Sequence, residues 1–138
     1  DGEYNEAWLR KKEAPCLAKI QVAADTIAKN FQDFLTSEGL SGRRVAIWGA
    51  GGKGVLTLAM IDTKAVAYLI DSDPVKHNRY TPISHLQVAS PDRLKTEAVD
   101  TVIITALAYK DEIHDILRDK YSFAGYVYYL NGGEISLY

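Results

Sequence analysis

Short apolar runs alternate with helix-like segments along most of this chain. Six runs have the length and the flanking turn residues that are typical of β-strands. They cover Arg44–Trp48, Ala65–Ile70, Leu86–Ala89, Asp100–Thr105 and Gly125–Leu130, with Ile135–Tyr138 as a small sixth. The segments between them predict helices over Gly52–Ile61, over Ser90–Leu94, where Ser90 is the cap and Pro91 the first residue, and over Lys110–Tyr121.

This alternation predicts the fold class. Strands that alternate with helices form a parallel sheet covered on both faces, because each strand must be reached by a crossover connection. Right-handed crossovers make the strand order 3-2-1-4-5 the simplest topology. We therefore predict an α/β, Rossmann-like, doubly wound fold with a mainly parallel sheet of five or six strands, preceded by a long N-terminal helix.

The segment Pro15–Leu40 has the periodicity of an amphipathic helix. Its apolar residues recur every three or four positions and form one stripe: Leu17, Ile20, Ala24, Ile27, Phe31 and Phe34. This stripe could pack against either of two partners: the sheet of the same domain or a domain that lies outside this sequence. The expected organisation is an arm with the long helix over residues 1–40 and a Rossmann-like nucleotide-binding domain over residues 41–138.

Composition and charge restrict the class of function. The 138 residues are 47% hydrophobic and 25% charged, which favours a single globular domain over a disordered chain. A net charge of -2 argues against a nucleic-acid partner, and no apolar run approaches the roughly 20 residues that a membrane span needs. The single cysteine, Cys16, excludes an internal disulfide and favours the cytoplasm. Because the chain opens at Asp1, we expect a C-terminal fragment of a larger protein.

A glycine loop follows the first predicted strand. Gly49, Gly51 and Gly54 have the spacing G-x-G-x-x-G, directly before a predicted helix. In this context the glycines permit a tight turn and close approach of a phosphate, and the helix N-terminus attracts an anion. The amide of Gly52 and the cation of Lys53 would add to such a phosphate site. The alternative is a turn needed only for close packing of strand and helix.

The loop after the second predicted strand carries the next candidate residues. Asp71 ends this strand, where an acid commonly accepts hydrogen bonds from ribose hydroxyls. Lys76 and Arg79 could contact phosphate, and Tyr80 could stack on a base or sugar as the loop closes over the ligand. Tyr109, after the fourth strand, could line the same pocket. The alternative for the polar loop is a solvated turn.

The sequence contains no recognisable catalytic set and no metal site. His77, His85 and His114 lack the spacing of metal ligands, and we interpret His85 and His114 as surface residues. Asp111 and Glu112 suit the first turn of a helix, where the helix dipole favours acids. No nucleophile with a companion base can be identified, so the chain by itself is interpreted as a binding domain.

The two loops resemble those of a known family. The combination of G-A-x-x-K-G at Gly49–Gly54 with D-x-x-P-x-K-x-x-R-Y-x-P at Asp71–Pro82 is similar to the C-terminal domain of S-adenosylmethionine-dependent sugar C-methyltransferases. The similarity extends over about Leu17–Leu130, and a looser one exists to nucleotide-binding domains of polysaccharide-biosynthesis enzymes. Two sites depart from the family pattern: Ile83-Ser84 replaces a usual Gly-Thr step, and Ala106–Tyr109 replaces a more polar loop.

The resemblance implies that this chain is one domain of a larger enzyme whose domains bind different ligands. In that family a zinc-binding region and a domain for S-adenosylmethionine precede this domain, and the nucleotide-linked sugar is held against it. The expected partners of this chain are therefore a nucleotide-linked sugar and the preceding domains of the same polypeptide, with no cofactor in the chain itself. Neither a nucleic acid nor a membrane is expected as a partner.

Two other classes of function remain open. The same glycine loop with Asp71 is typical of NAD(H)-binding domains of oxidoreductases or redox sensors. Alternatively, the loop is purely structural and the helix Pro15–Leu40 docks partner proteins, which would make the chain a noncatalytic interaction module.

Overall fold

A six-stranded sheet forms the centre of the protein. A computed structural model describes residues 25–51 and 57–138 and gives the strand order β3-β2-β1-β4-β5-β6. The strands are β1 (Val45–Trp48), β2 (Val66–Ile70), β3 (Val88–Ala89), β4 (Thr101–Ile104), β5 (Tyr126–Asn131) and β6 (Glu134–Leu137). The first five pair in parallel and β6 is antiparallel to β5. The predicted order of the first five strands is confirmed.

Both faces of the sheet are covered, as the continuous apolar strands require. Successive residues of β1 point to opposite sides, so Val45 and Ile47 enter one buried cluster while Ala46 and Trp48 enter the other. All four residues of β1 and of β4 are buried. The two strands therefore occupy the centre of the sheet.

Helix α1, over residues 25–40, packs on the first of these clusters. Phe31 and Leu35 are buried in it, and Phe34 contacts the ring of Tyr128 edge-on, with centroids 4.7 Å apart. The apolar stripe thus packs on the sheet of its own domain wherever the structure describes it. The predicted start at Pro15 and the first three stripe positions lie outside the described residues, so the predicted long helix is supported over its last 16 residues.

The remaining helices are short. Helix α2 is Arg93–Thr96, and helix α3 is Lys110–Asp115, which continues into a π-helical turn over Ile116–Lys120. The predicted helix Gly52–Ile61 is described only from residue 57, and it ends at residue 58. None of the helices within residues 25–51 and 57–138 is long and apolar enough to cross a membrane.

Strand β3 is shorter than the predicted strand Leu86–Ala89, and the residues at its amino end also pair with the loop that precedes them. Thr81 and Leu86 are joined by an amide-to-carbonyl bond of 2.8 Å, and Tyr80 forms an antiparallel bridge with Gln87. A hairpin-like segment therefore folds back on the amino end of β3. It places residues 78–85 at the edge of the sheet.

This segment contains a strained residue. Ile83 has a left-handed backbone with φ 65°, a conformation that costs a β-branched residue about 1–2 kcal/mol. The turn is closed by the Thr81 hydroxyl, which accepts from the Leu86 amide at 2.9 Å and pairs with the Ser84 hydroxyl. Ile83 occupies the place of the glycine in the Gly-Thr step described above, and its side chain is 74% exposed.

We therefore expect Ile83→Gly to stabilise the protein. Glycine adopts this backbone without strain, so the free energy of unfolding should rise by about 1 kcal/mol after the entropy of the more flexible unfolded chain is subtracted. Urea denaturation followed by circular dichroism measures the change. Ile83→Ala is the control, because it removes the exposed side chain but keeps a Cβ, and it should gain less. A glycine variant less stable than the wild type would contradict the strain.

Candidate functional site

A cleft lies at the carboxyl edge of the sheet, where β1 has β2 on one side and β4 on the other. Successive strands are added to one side of β1 up to β3 and to the other side from β4 onward, and open α/β sheets bind ligands at such switch points. The cleft has a volume of about 440 Å³. We call it the glycine lobe, and its lining residues are Trp48, Gly49, Gly51, Asp71, Ser72, Lys76, Ala106, Tyr109, Glu112, Ile113 and Ile116.

The two described glycines of the loop have different roles. Gly49 has φ 128°, and a Cβ there would collide with the hydroxyl of Thr105. That hydroxyl is 3.2 Å from the Trp48 carbonyl oxygen and 3.1 Å from that of Gly49, so it ties the end of β1 to the end of β4. At Gly51 a Cβ would meet no atom of the described residues within 4 Å. Gly49 therefore builds the turn, and Gly51 leaves open space at the cleft.

Asp71 connects the glycine loop to the loop that follows β2. Its Oδ2 accepts from the Ala50 amide at 3.2 Å, and its Oδ1 accepts from the Asp73 amide at 2.9 Å. Burial by itself would raise the pKa of Asp71, but these amide bonds and the nearby Lys76 ammonium outweigh it and hold the pKa below its ordinary value. The carboxylate is therefore ionised at neutral pH. It already has structural hydrogen bonds where a ribose role was predicted.

Lys76 brings a positive charge into the glycine lobe. Its Nζ lies 3.4 Å from Oδ2 of Asp71, and its side chain is partly exposed. A short 3-10 helix, Pro74–Lys76, positions it, and the Asp73 side chain caps this helix by accepting from the Val75 amide. Lys76 is thus placed at the cleft for the predicted phosphate contact, but its ammonium already forms an ion pair with Asp71.

Arg79 and Tyr80 do not line the glycine lobe. The chain turns at Asn78, which has φ 63°, and the backbone of Arg79 then pairs with Val88. This pairing places both side chains on the exposed hairpin-like edge next to β3, and the structure does not bring them together with Gly49, Gly51 and Lys76. Their predicted closing over a ligand stays a prediction.

The far wall of the lobe comes from α3 and the residues before it. Tyr109 lines the lobe as predicted and is 62% exposed, so it stands at the rim. Glu112, which the sequence favoured as a purely dipole-stabilising residue, also lines it. Trp48 was interpreted only as a buried strand residue, yet it forms part of the floor. The position of Trp48 as the last residue of the predicted first strand, at the carboxyl edge of the sheet, could have identified it as a cleft residue.

The predicted residues Gly52, Lys53 and Gly54 lie outside the described residues.

The histidines are separated from one another in the fold. His77 contacts the Asp71 carbonyl oxygen through Nε2 at 2.6 Å, and His85 is exposed. No group of three or more His, Cys, Asp or Glu side chains in the described parts of the chain is placed to hold a metal ion.

His114 differs from its interpretation as part of a solvated helix face. Its side chain is 22% exposed and stacks on the ring of Tyr138, with centroids 3.8 Å apart. The Tyr138 hydroxyl in turn donates to the Asp111 carboxylate, which raises the pKa of Tyr138 to about 12. The interpretation was wrong because β6 returns the chain to the side of α3.

The strand order, the glycine turn and the cleft define a class of protein: a Rossmann-like α/β domain with a ligand-sized cleft at its switch point. A family profile described as C-methyltransferase C-terminal domain matches residues 4–129. The chain therefore belongs to this family of C-methyltransferase C-terminal domains, as the loop motifs indicated. No curated protein matches the chain.

The two glycines provide a matched pair of substitutions. Gly49→Ala should lower the free energy of unfolding by at least about 2 kcal/mol, because it combines a left-handed φ with a collision against Thr105. Gly51→Ala should change it by less than about 0.5 kcal/mol, because its Cβ enters open space. Thermal and urea denaturation measure both. Equal losses in the two variants would contradict this geometry.

The low pKa of Asp71 should make the free energy of unfolding depend on pH. Its folded-state pKa is lowered, so the ionised carboxylate stabilises the fold above the ordinary aspartate pKa of about 3.9, and this stabilisation is lost as pH falls through the lower folded-state value. Asp71→Asn should cost about 1–2 kcal/mol at pH 7 and progressively less below pH 4. Urea denaturation across this range measures it, with exposed Asp119→Asn as the control. A cost for Asp71→Asn that does not change with pH would contradict the assignment.

Proposed function

We propose that this chain is the substrate-holding domain of an S-adenosylmethionine-dependent sugar C-methyltransferase and that it binds a nucleotide-linked sugar in the glycine lobe. The observation that carries the proposal is the cleft of about 440 Å³ at the switch point, which is lined by Gly49, Gly51 and Asp71. Family membership supplies the reaction class. The cleft supports a nucleotide as the part of the substrate that this domain holds.

The diphosphate of such a ligand would lie against the glycine loop. Gly51 has no side chain to occupy this space, and backbone there can approach a phosphate closely. Lys76 offers a cation at the same cleft. Binding of a phosphate would draw the Lys76 ammonium away from Oδ2 of Asp71, from which it now lies 3.4 Å, and would leave this oxygen with the Ala50 amide as its donor and a lone pair for a ligand.

The ribose would then lie at Asp71. The low pKa keeps this carboxylate anionic, and an anionic oxygen is a strong acceptor for ribose hydroxyls. Its hydrogen bonds to the Ala50 and Asp73 amides fix its position before any ligand arrives. Such preorganisation lowers the ordering cost of binding.

Methyl transfer itself belongs to other domains in this proposal. S-adenosylmethionine also contains a ribose, so the glycine loop and Asp71 are chemically able to hold it, and the donor must be tested as a competing ligand. The zinc that the resemblance implies is likewise proposed to bind in the preceding region. The role of this chain is to hold and orient the sugar nucleotide.

Titration calorimetry with dTDP-, UDP-, GDP- and CDP-linked sugars tests the proposal. We expect one of these to bind the wild type and to bind Gly51→Val at least about tenfold more weakly, because the valine side chain fills the phosphate space. Circular dichroism should show that Gly51→Val is folded. Absence of binding by all four classes would refute nucleotide-sugar binding, and binding of S-adenosylmethionine alone would assign the donor site to this chain.

The second candidate is an NAD(H)-binding domain, which Asp71 at the end of β2 favours. Trp48 is 3% exposed and lines the cleft, so its fluorescence reports on a ligand there. Quenching by NADH, without quenching by any sugar nucleotide, would replace the first proposal with the second.

A further inference from the structure

A second cavity adjoins the glycine lobe. It has a volume of about 490 Å³ and shares Trp48, Ser72 and Ile116 with the first cavity. We call it the second lobe, and its other lining residues are Pro74, His77, Ser90, Pro91, Asp92, Lys120 and Tyr121. The shared residues make the two lobes neighbouring parts of one groove. Each lobe lies in the size range of small-molecule sites.

The walls of the second lobe are suited to a flat ring. Tyr121 contributes an aromatic side chain directly after the π-helical turn that follows α3, and Pro74 and Pro91 contribute the rigid rings of two separate loops. The Tyr121 hydroxyl donates to Asp92 Oδ1 at 2.9 Å, which holds the aromatic ring in place. The Lys120 ammonium lies 5.5 Å from the centre of that ring. Planar heteroaromatic ligands bind between such aromatic and apolar surfaces.

Polar groups at the same lobe can hydrogen-bond the edge of a ring. Asp92 offers carboxylate oxygens as acceptors, Lys120 offers N–H donors, and Ser90 offers a hydroxyl that can donate or accept a hydrogen bond. His77 must donate from Nε2 to the Asp71 carbonyl, which can only accept, so in the neutral ring Nδ1 is the acceptor. Few and well-placed polar groups among apolar walls are the usual means of recognising one planar ligand.

We propose that the second lobe is the nucleobase subsite of the groove, with Tyr121 as its stacking surface. This inference rests on the proposed function, in which the diphosphate lies at Gly51 and the ribose at Asp71. Ser72 follows Asp71 directly and lines both lobes, so a base attached to that ribose can enter the second lobe.

The opposite end of the groove suits the sugar. Tyr109 lines the glycine lobe and is exposed at its rim, so a sugar there remains accessible to a methyl donor held by another domain. The base end is set by Ser72, which follows Asp71 and lines both lobes, so the sugar extends from the diphosphate toward the opposite end of the glycine lobe. The orientation is therefore base in the second lobe and sugar at the rim.

Paired ligands test this orientation. The affinities of UDP with UDP-glucose, GDP with GDP-mannose and dTDP with dTDP-glucose are measured by calorimetry for the 138-residue chain and its variants. Tyr121→Ala should weaken the nucleoside diphosphate and its sugar conjugate by the same factor, about tenfold, because both carry the base that loses its stacking partner.

Two variants separate stacking from structural damage. Tyr121→Phe loses the hydrogen bond to Asp92 but keeps the ring, so it should bind within about twofold of the wild type. Tyr126→Ala removes an exposed tyrosine on β5 that lines neither lobe, and it should not change affinity. Circular dichroism monitors the fold of each variant.

The outcomes distinguish this inference from the proposed function. Loss of affinity for the sugar conjugate alone in Tyr121→Ala would place the sugar in the second lobe and overturn the orientation. Unchanged affinity in Tyr121→Ala, or an equal loss in Tyr121→Phe, would refute stacking while nucleotide binding stands. Failure of every probe, and of the CDP-linked sugars as well, to bind the wild type would refute the proposed function together with the subsite.

Discussion

The candidate site depends on the hydrogen bonds of one carboxylate. Asp71 accepts the amide of Ala50 from the glycine loop and the amide of Asp73 from the loop after β2, and its carbonyl oxygen accepts from His77. The glycine loop and two points of the loop after β2 are thereby held at one end of β2. Because these bonds favour the ionised form, the charge that suits a ribose hydroxyl also stabilises the walls of the cleft. Loss of this carboxylate would remove the two amide contacts, while the contact of His77 with the backbone carbonyl would remain.

The parallel sheet explains why that end of β2 is a binding site at all. β1 lies between β2 and β4, so their carboxyl ends meet at one edge, and the Thr105 hydroxyl joins the ends of β1 and β4. Gly49 is required where these ends approach most closely, and Gly51 leaves space beside them. Gly49 therefore has a structural role in the turn, whereas a binding role of Gly51 is part of the proposed function.

Much of the fold could be predicted because buried parallel strands appear as continuous apolar runs. The bounds of β1 and β2 differ from the predicted ones by one residue at the amino end, and those of β4 and β5 by one residue at each end. The shortening of β3 could not be predicted from its apolar run, since it accompanies a local pairing with residues 78–81 after a left-handed Asn78. The candidate site was predictable only in part. Gly51, Asp71 and Lys76 were found from loop position, whereas Arg79 and Tyr80 were chosen for chemistry that the fold places elsewhere. Trp48 was missed because a buried strand residue and the floor of a cleft have the same sequence signal.

The central claim is that a nucleotide binds at the loops that Asp71 holds together. The most direct measurement is a nitrogen-15 NMR titration of the chain with a nucleoside diphosphate, followed through the backbone amides. We expect saturable shifts at Ala50, Gly51 and Ser72, with smaller changes on the outer surface of α1. Shifts confined to α1, or spectra unchanged at saturating ligand, would contradict it.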